Sequence, residues 1–232
     1  MVYDLDHFTF EEWLKFVFDH PVVDPTGLTY KEKHWYLQGE WYSTPWNGFR
    51  QVEFCTKLFE NPSVIKGKYS WEQIEEGLWF LLNEVVLYLL HDTEIPWINR
   101  KKLIENMGIL YEKLFLDDLI TLTCFMWWDG LCYNYYRNNG VAENEDSRNV
   151  QNTAFETLRR ILKIESISCQ VAALHGLGHV RHPETASVIN KYLIQNPHLS
   201  KRIQDYAKGC IEGTMDRMGD PMFEKGGPKN SS

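Results

Sequence analysis

One segment of the chain, Cys169 to Glu184, constrains the fold more strongly than any other. Its first part is rich in alanine, leucine and glycine, and Pro183 interrupts this pattern near its end. Small side chains on a helix let a neighbouring backbone come close, and proline ends a helix because it has no backbone N–H to donate. The segment therefore predicts two helices that are joined by a turn at Pro183 and packed tightly against their neighbours.

Gly176 and Gly178 lie inside the first of these helices. A glycine costs a helix about 1 kcal/mol relative to alanine, so two of them imply a compensating close contact. A nucleotide-binding loop would need a preceding strand, and none is indicated here. We therefore predict that both glycines serve close helix–helix packing.

Helix signals dominate the rest of the chain as well. Thr9 with Glu12, and Ser70 with Gln73, have the spacing of capping boxes at helix N-termini. No stretch alternates apolar and polar residues as a half-buried strand requires. The sequence predicts an all-α protein of about nine helices. The first follows Thr9 and stops near Pro21, and the others lie near residues 49–59, 71–91, 98–115, 118–133, 150–163, 168–180, 184–195 and 199–217, with a further short helix possible around Lys31 to Gln38.

A weak repeat joins the opening segment to the end of the chain. Three positions recur 34 residues later, and this period is typical of stacked helix pairs. They are Ala173, Leu177 and Val180, which correspond to Ala207, Ile211 and Thr214.

The run from Gln170 to Glu184 also resembles the short bacterial HEAT repeat of the phycobilin-lyase type, whose first helix ends in Ala-Leu-Gly and whose turn contains Asp-Pro-Glu. Here Gly176 takes the place of the alanine and His182 that of the aspartate. The resemblance covers residues 150–217, and it implies an α-α superhelix of the HEAT/ARM type with protein binding as its usual role.

The chain divides into three parts on this reading. We expect an aromatic-rich helical portion over residues 1–149, HEAT-like repeats over 150–217 and a disordered tail over 218–232. The polar run from Asn138 to Asn149 is the best linker candidate, because it contains glycine and several residues that favour turns. The alternative of one continuous domain, with this run as an internal loop, stays open.

Three histidines in the opening segment, His175, His179 and His182, are spaced four and three residues apart. On an ideal helix they share one stripe, and two imidazoles one turn apart can bind zinc. Two features oppose a metal. The residue before a proline is pushed out of helical geometry, which affects His182, and no glutamate adjoins His175 to act as a general base. We therefore expect no metal or other cofactor, and instead solvated or hydrogen-bonded imidazoles.

Two further groups of residues are candidates for contact with a partner. Trp127 and Trp128 belong to an aromatic cluster, and large amphipathic rings are typical interface anchors as well as core residues. Arg159 and Arg160 lie on one predicted helix, where a basic face is either solvated or a binding patch.

Charge and composition narrow the choice of partner and compartment. The formal net charge is −8, with 18 acidic and 11 basic residues up to Leu116 and 14 and 13 after it. A nucleic-acid backbone needs a concentrated basic face, so a basic protein is the more plausible partner.

The five cysteines are widely spread, the N-terminus lacks a secretory pattern, and the most apolar run, Leu78 to Leu90, contains Asn83 and Glu84. These features predict a cytoplasmic protein without a membrane partner.

These observations favour a non-catalytic protein-binding scaffold. A bacterial immunity-type or regulatory protein is the narrower form of this hypothesis, suggested by the acidic first half of the chain. The alternative is a metal-dependent enzyme that uses His175 and His179.

Overall fold

The computed structural model describes residues 5–23, 26, 28–29, 32, 34–38, 47–117 and 119–222. Regular structure in these ranges is helical, apart from an isolated bridge between Lys66 and Tyr69. The α-helices are α1 (Phe10–Phe18), α2 (Gly48–Glu60), α3 (Trp71–Phe80), α4 (Leu87–His91), α5 (Trp97–Lys113), α6 (Thr121–Arg137), α7 (Glu145–Ile161), α8 (Ile167–Val180), α9 (Thr185–Gln195) and α10 (Lys201–Glu212). The all-α prediction is confirmed for the described residues.

Short single turns complete the described structure. They are 3₁₀ helices at Leu5–His7, Trp35–Leu37, Pro62–Val64, Phe115–Asp117 and Met215–Arg217. None of the described helices is both long and apolar enough to cross a bilayer. Most of the tail that was expected to be disordered, from residue 223 onward, lies outside the described residues.

Both predicted capping boxes are present. The Thr9 side chain accepts from the Glu12 backbone N–H, and the Glu12 carboxylate accepts from the Thr9 backbone N–H at 2.8 Å. Ser70 and Gln73 make the same reciprocal pair at the start of α3. These side chains satisfy N–H groups that have no partner inside the first helical turn.

The single helix expected over residues 71–91 has a different form. It is α-helical in α3, π-helical over Leu81–Val86 and α-helical again in α4. Within the π-helical part, the Asn83 side chain donates a hydrogen bond to the Trp79 backbone carbonyl at 2.8 Å. The hydrophobic pattern located the element, but it does not distinguish these hydrogen-bond registers.

The linker predicted over Asn138 to Asn149 is partly wrong. Only its first half is a turn, with Asn139 and Gly140 at positive φ, and α7 begins at Glu145. Asn144 caps this helix, because its side chain accepts a hydrogen bond from the Ser147 N–H. The acidic side chains in the first turn also interact favourably with the positive end of the helix dipole. The missed signal was an asparagine cap followed by two acidic residues.

The buried residues form one continuous apolar cluster from Leu5 to Met215. Helix α8 is central to its second half, since it packs against α6 most extensively and also against α7 and α10. Every residue of α8 from Val171 to Val180 is buried. The predicted tight packing of this segment is therefore confirmed.

A buried arginine ties α5 to the start of α7. Arg100 is 2% exposed, donates to the carbonyls of Leu90 and Ile95, and makes a two-pronged contact with the Asp146 carboxylate at 2.6 and 2.8 Å. The hydrogen bonds from Arg100 hold the pKa of Asp146 below its usual value. Two-pronged arginine–carboxylate pairs are among the stronger polar contacts in proteins.

We predict that Asp146→Asn lowers the free energy of unfolding by about 1 to 3 kcal/mol, because the buried guanidinium loses its counter-charge. The Asp146 carboxyl has a lowered pKa in the folded state, so its contribution is present above about pH 4 and is lost as the pH falls below that value. Urea unfolding at several pH values should show that the difference in unfolding free energy between the wild type and the variant becomes smaller in acid.

Asp205→Asn is the matched control, since Asp205 pairs with Lys201 on the surface of one helix. This variant should change the free energy of unfolding by less than about 0.5 kcal/mol. An equal effect of both variants at neutral pH would contradict this account.

Candidate functional site

Helix α8 brings two of the three predicted histidines into the interior. His175 and His179 are 5% and 2% exposed, and their ring centroids lie 4.5 Å apart. Of the expected solvated or hydrogen-bonded imidazoles, the solvated form is wrong for both residues, and the hydrogen-bonded form is present at His175. They are buried because α8 is covered on several sides, so the stripe they occupy faces other helices and not water.

His175 is held between α6 and α10. Its ring stacks on Phe125 with a centroid distance of 4.3 Å, and its Nδ1 lies 2.6 Å from the Tyr206 hydroxyl oxygen. Its Nε2 is buried and has no hydrogen-bond partner among the described residues. Burial, with the neighbouring His179 as a smaller cause, lowers the pKa of His175 to about 3, so the imidazole is neutral.

His179 lies one turn further along, between two carboxylates. Its Nε2 is 3.3 Å from Asp129 Oδ1 on α6 and 3.5 Å from Asp216 Oδ1 on the turn Met215–Arg217. Neither ring nitrogen satisfies hydrogen-bond geometry with any described residue. The Tyr136 ring covers the imidazole with a centroid distance of 5.0 Å.

Burial has opposite effects on the two kinds of group in this cluster. It lowers the pKa of His179, against the pull of the two carboxylates, and it raises the pKa of Asp129. Burial therefore favours the neutral imidazole at both His175 and His179. A neutral imidazole carries the lone pair that a metal ion needs.

His182 does not join this cluster. Helix α8 ends at Val180, Arg181 follows in the left-handed conformation with φ 46°, and the His182 ring stacks on Phe155 with a centroid distance of 4.0 Å. The proline that follows His182 accounts for the break. The stripe of three is therefore reduced to two histidines.

The glycines set how closely α8 is approached. A Cβ on Gly176 would lie 2.6 Å from Leu158 Cδ2 and 2.8 Å from Trp128 Cβ. A Cβ on Gly178 would lie 3.0 Å from Met215 Cε and 3.2 Å from the Cys210 Cα. Close packing is confirmed as their role, and at Gly178 it brings the turn that carries Asp216 against α8.

The other predicted contact residues have different positions. Trp127 and Trp128 are fully buried, so the hypothesis that they are surface anchors is corrected: their rings fill the core. Arg159 and Arg160 are partly exposed, and they pair with Glu156 at 2.7 Å and Glu112 at 3.8 Å. Each of the two arginines therefore has an acidic partner, and neither is a free cation.

A second site lies in the first half of the chain, where the sequence indicated none. A cleft of about 780 Å³ opens between the end of α1, the turn at Trp35–Leu37, α3 and the start of α6. His20 stacks on Trp35 with a centroid distance of 3.6 Å, and both residues line this cleft. The valines and the leucine at its rim are about half exposed, namely Val22 at 49%, Val23 at 42% and Leu122 at 53%.

Apart from two histidines, the ionisable side chains that line the cleft are acidic. Glu72, Glu75 and Glu76 line it, and the described lining residues include no lysine or arginine. Glu75 accepts from the backbone N–H and the hydroxyl of Thr123, both at 3.2 Å, and Glu76 lies 3.0 Å from His34 Nδ1. These contacts hold the two carboxylates in place at one wall.

Sequence reasoning missed Asp129, Asp216 and Tyr206 as neighbours of the histidines. Asp129 and Asp216 lie 50 and 37 positions from His179, and Tyr206 lies 31 positions from His175, so only the packing of α6, α10 and the last turn brings them together. Asp129 did carry a signal, because it is a lone carboxylate in the apolar run Phe125 to Cys132. Comparison of the chain with protein-family models, with curated proteins and with solved structures found no match.

We predict that Gly176→Ala destabilises the protein by about 1 to 3 kcal/mol, because its methyl group overlaps Leu158 and Trp128. Gly130→Ala is the matched control on α6. The space around its Cβ contains no described atom within 4 Å, so alanine should raise stability by up to about 1 kcal/mol through helix propensity. Urea unfolding of both variants measures the difference, and a neutral Gly176→Ala would refute the close-packing role.

Proposed function

We propose that this protein is a non-catalytic protein-binding module whose docking site is the acidic cleft between α1, α3 and α6. The observation that carries the proposal is the combination of an exposed apolar rim with fixed carboxylates on one wall. Such a surface suits a partner segment with apolar anchors flanked by lysine or arginine.

The extent of the rim favours a macromolecular partner over a small molecule. Val22, Val23 and Leu122 are exposed to solvent at the edge, so an occupant that covers them extends beyond the cleft itself. The chain immediately before α6 also exposes Leu116 at 43% and Leu119 at 54%. Clustered apolar side chains on a surface are characteristic of interaction sites.

The charge of the chain agrees with a basic partner. The first half holds most of the net charge of −8, and it supplies all the lining residues of the cleft except Leu122 and Thr123. Opposite charges steer a partner toward the site and increase the association rate at low salt. An immunity-type or regulatory protein that covers a basic partner is the narrower form of this proposal.

For the C-terminal part we propose an α-α superhelix of the HEAT/ARM type. Its support is that helices pack on their second neighbours. Helix α8 packs against α10 within this part, and the contacts of α5 with α7 and of α6 with α8 extend the pattern into the preceding helices. Stacked helix pairs produce contacts of this kind between successive repeats. Binding proteins built this way present an extended surface to their partners.

The alternative of a metal-dependent enzyme centred on His175 and His179 has weaker support. A catalytic metal needs a coordination position that a substrate can reach. The two imidazoles are almost completely buried, and the Phe125, Tyr136 and Tyr206 rings lie against them. Binding is therefore the function that the geometry favours.

The docking proposal can be tested with the purified full chain and an array of short peptides. Peptides with apolar residues flanked by lysine and arginine should bind, and the same peptides with glutamate in place of the basic residues should not. Binding should also weaken as salt is raised, because the carboxylates of the cleft lie near the surface. Fluorescence anisotropy of labelled peptides gives the dissociation constants.

Leu122→Asp should weaken peptide binding at least about tenfold, or about 1.4 kcal/mol, because it places a charge on the apolar rim. Ile194→Asp is the matched control, since Ile194 is 80% exposed on α9 and does not line the cleft. Both variants should fold, because Leu122 is about half exposed and Ile194 is 80% exposed. Peptides that bind both variants equally, or an array with no basic-peptide binding, would overturn the proposal.

A further inference from the structure

Four potential metal ligands from three parts of the fold converge beside Tyr136. Asp129 comes from α6, His175 and His179 come from α8, and Asp216 comes from the turn after α10. One donor atom from each of Asp129, His175 and His179 lies within 4.8 Å of the others. We propose that these four side chains bind one divalent transition-metal ion of the zinc class, which ties the turn Met215–Arg217 to α6 and α8.

The distances around His179 match a coordination shell better than a hydrogen-bonded pair. Ligands of a tetrahedral zinc ion at about 2.0 Å lie about 3.3 Å from one another. The Nε2 atom of His179 is 3.3 Å from one carboxylate oxygen and 3.5 Å from the other. A charge-assisted hydrogen bond would be shorter, at about 2.8 Å. The donor atoms of Asp129, His175 and His179 lie within 4.8 Å of one another, so they have to close by up to about 1.5 Å to complete this shell.

The unsatisfied imidazole nitrogens point to a missing partner. His175 Nε2 and both ring nitrogens of His179 are buried, and none has a hydrogen-bond partner among the described residues. A buried polar atom without a partner costs about 1 to 3 kcal/mol. A metal ion bound between the imidazoles and carboxylates would satisfy one nitrogen of each ring.

Tyr206 supplies the support that metal-bound histidines usually have. Its hydroxyl oxygen lies 2.6 Å from His175 Nδ1. In the tautomer with a proton on Nδ1, that nitrogen donates to Tyr206 and leaves the Nε2 lone pair directed to the metal. Hydrogen bonds of this type fix the ring orientation and increase the affinity of the site.

The donor set selects the class of metal. Two imidazoles and two carboxylates suit zinc and its neighbours, whereas magnesium and calcium prefer oxygen ligands only. The two carboxylates also balance the charge of a divalent ion. The cysteines do not compete, because all five are buried and burial raises the pKa of the Cys55, Cys132 and Cys210 thiols.

An ion can enter from the carboxylate side. The Asp216 and Asp129 side chains are 44% and 30% exposed, while the histidines form the buried floor. The bound ion would join residues far apart in the chain, so its role is structural. This inference does not depend on the acidic cleft, because no cluster residue lines it.

The test uses the full chain without a histidine tag, freed of metal by a chelator and then titrated with zinc. Calorimetry and elemental analysis should show one zinc ion per chain, and thermal unfolding should move to higher temperature as zinc is added. Cobalt in place of zinc should give the visible absorption of a tetrahedral ion. Magnesium at the same concentration should change neither measurement.

Variants separate the proposed site from incidental binding. Asp216→Asn should weaken zinc binding at least about tenfold and still fold, because Asp216 is on the surface. His179→Gln should abolish binding. His198→Ala is the control, since His198 is exposed and outside the cluster, and it should bind zinc as the wild type does. Folded wild-type protein that takes up no stoichiometric zinc, or Asp216→Asn with wild-type affinity, would overturn the proposal.

Discussion

The close approach of α6 and α8 is the contact on which the rest of the C-terminal structure depends. Gly176 allows it, because any side chain there would overlap Trp128 and Leu158. The approach places the face of α8 that carries His175 and His179 against Phe125 and Asp129. A wider spacing between these helices would separate the imidazoles from the carboxylate on α6.

Gly178 has the same effect on the other side of α8. Its missing Cβ lets Met215 and Cys210 come close, so the turn that carries Asp216 lies over His179. Two glycines in one helix reduce its intrinsic stability by about 2 kcal/mol. The buried contacts they allow offset this cost, and the same contacts assemble the polar cluster. The same close packing around α8 therefore both stabilises this part of the molecule and brings the histidines and carboxylates together.

The sequence predicted those features that depend on neighbouring residues. The capping boxes at Thr9 and Ser70 required only side chains three positions apart, and the glycines of α8 required only their unfavourable helix propensity. The positions of the histidines on one stripe also followed from helical periodicity. The burial of that stripe did not follow, because it depends on which other helices cover α8. For the same reason the sequence left open whether Trp127 and Trp128 lie in the core or on the surface, and the packing of α6 places both in the core.

Helix α6 connects the two candidate sites. Leu122 and Thr123 at its start line the acidic cleft, and Asp129, six positions later, belongs to the histidine cluster. Six residues of α-helix span about 9 Å, so the sites are close but have no residue in common. Coupling between them would need an element with two alternative arrangements, and α6 is one continuous α-helix from Thr121 to Arg137. Metal binding and partner binding should therefore contribute independently, the first to the stability of the C-terminal turn and the second to recognition at the cleft.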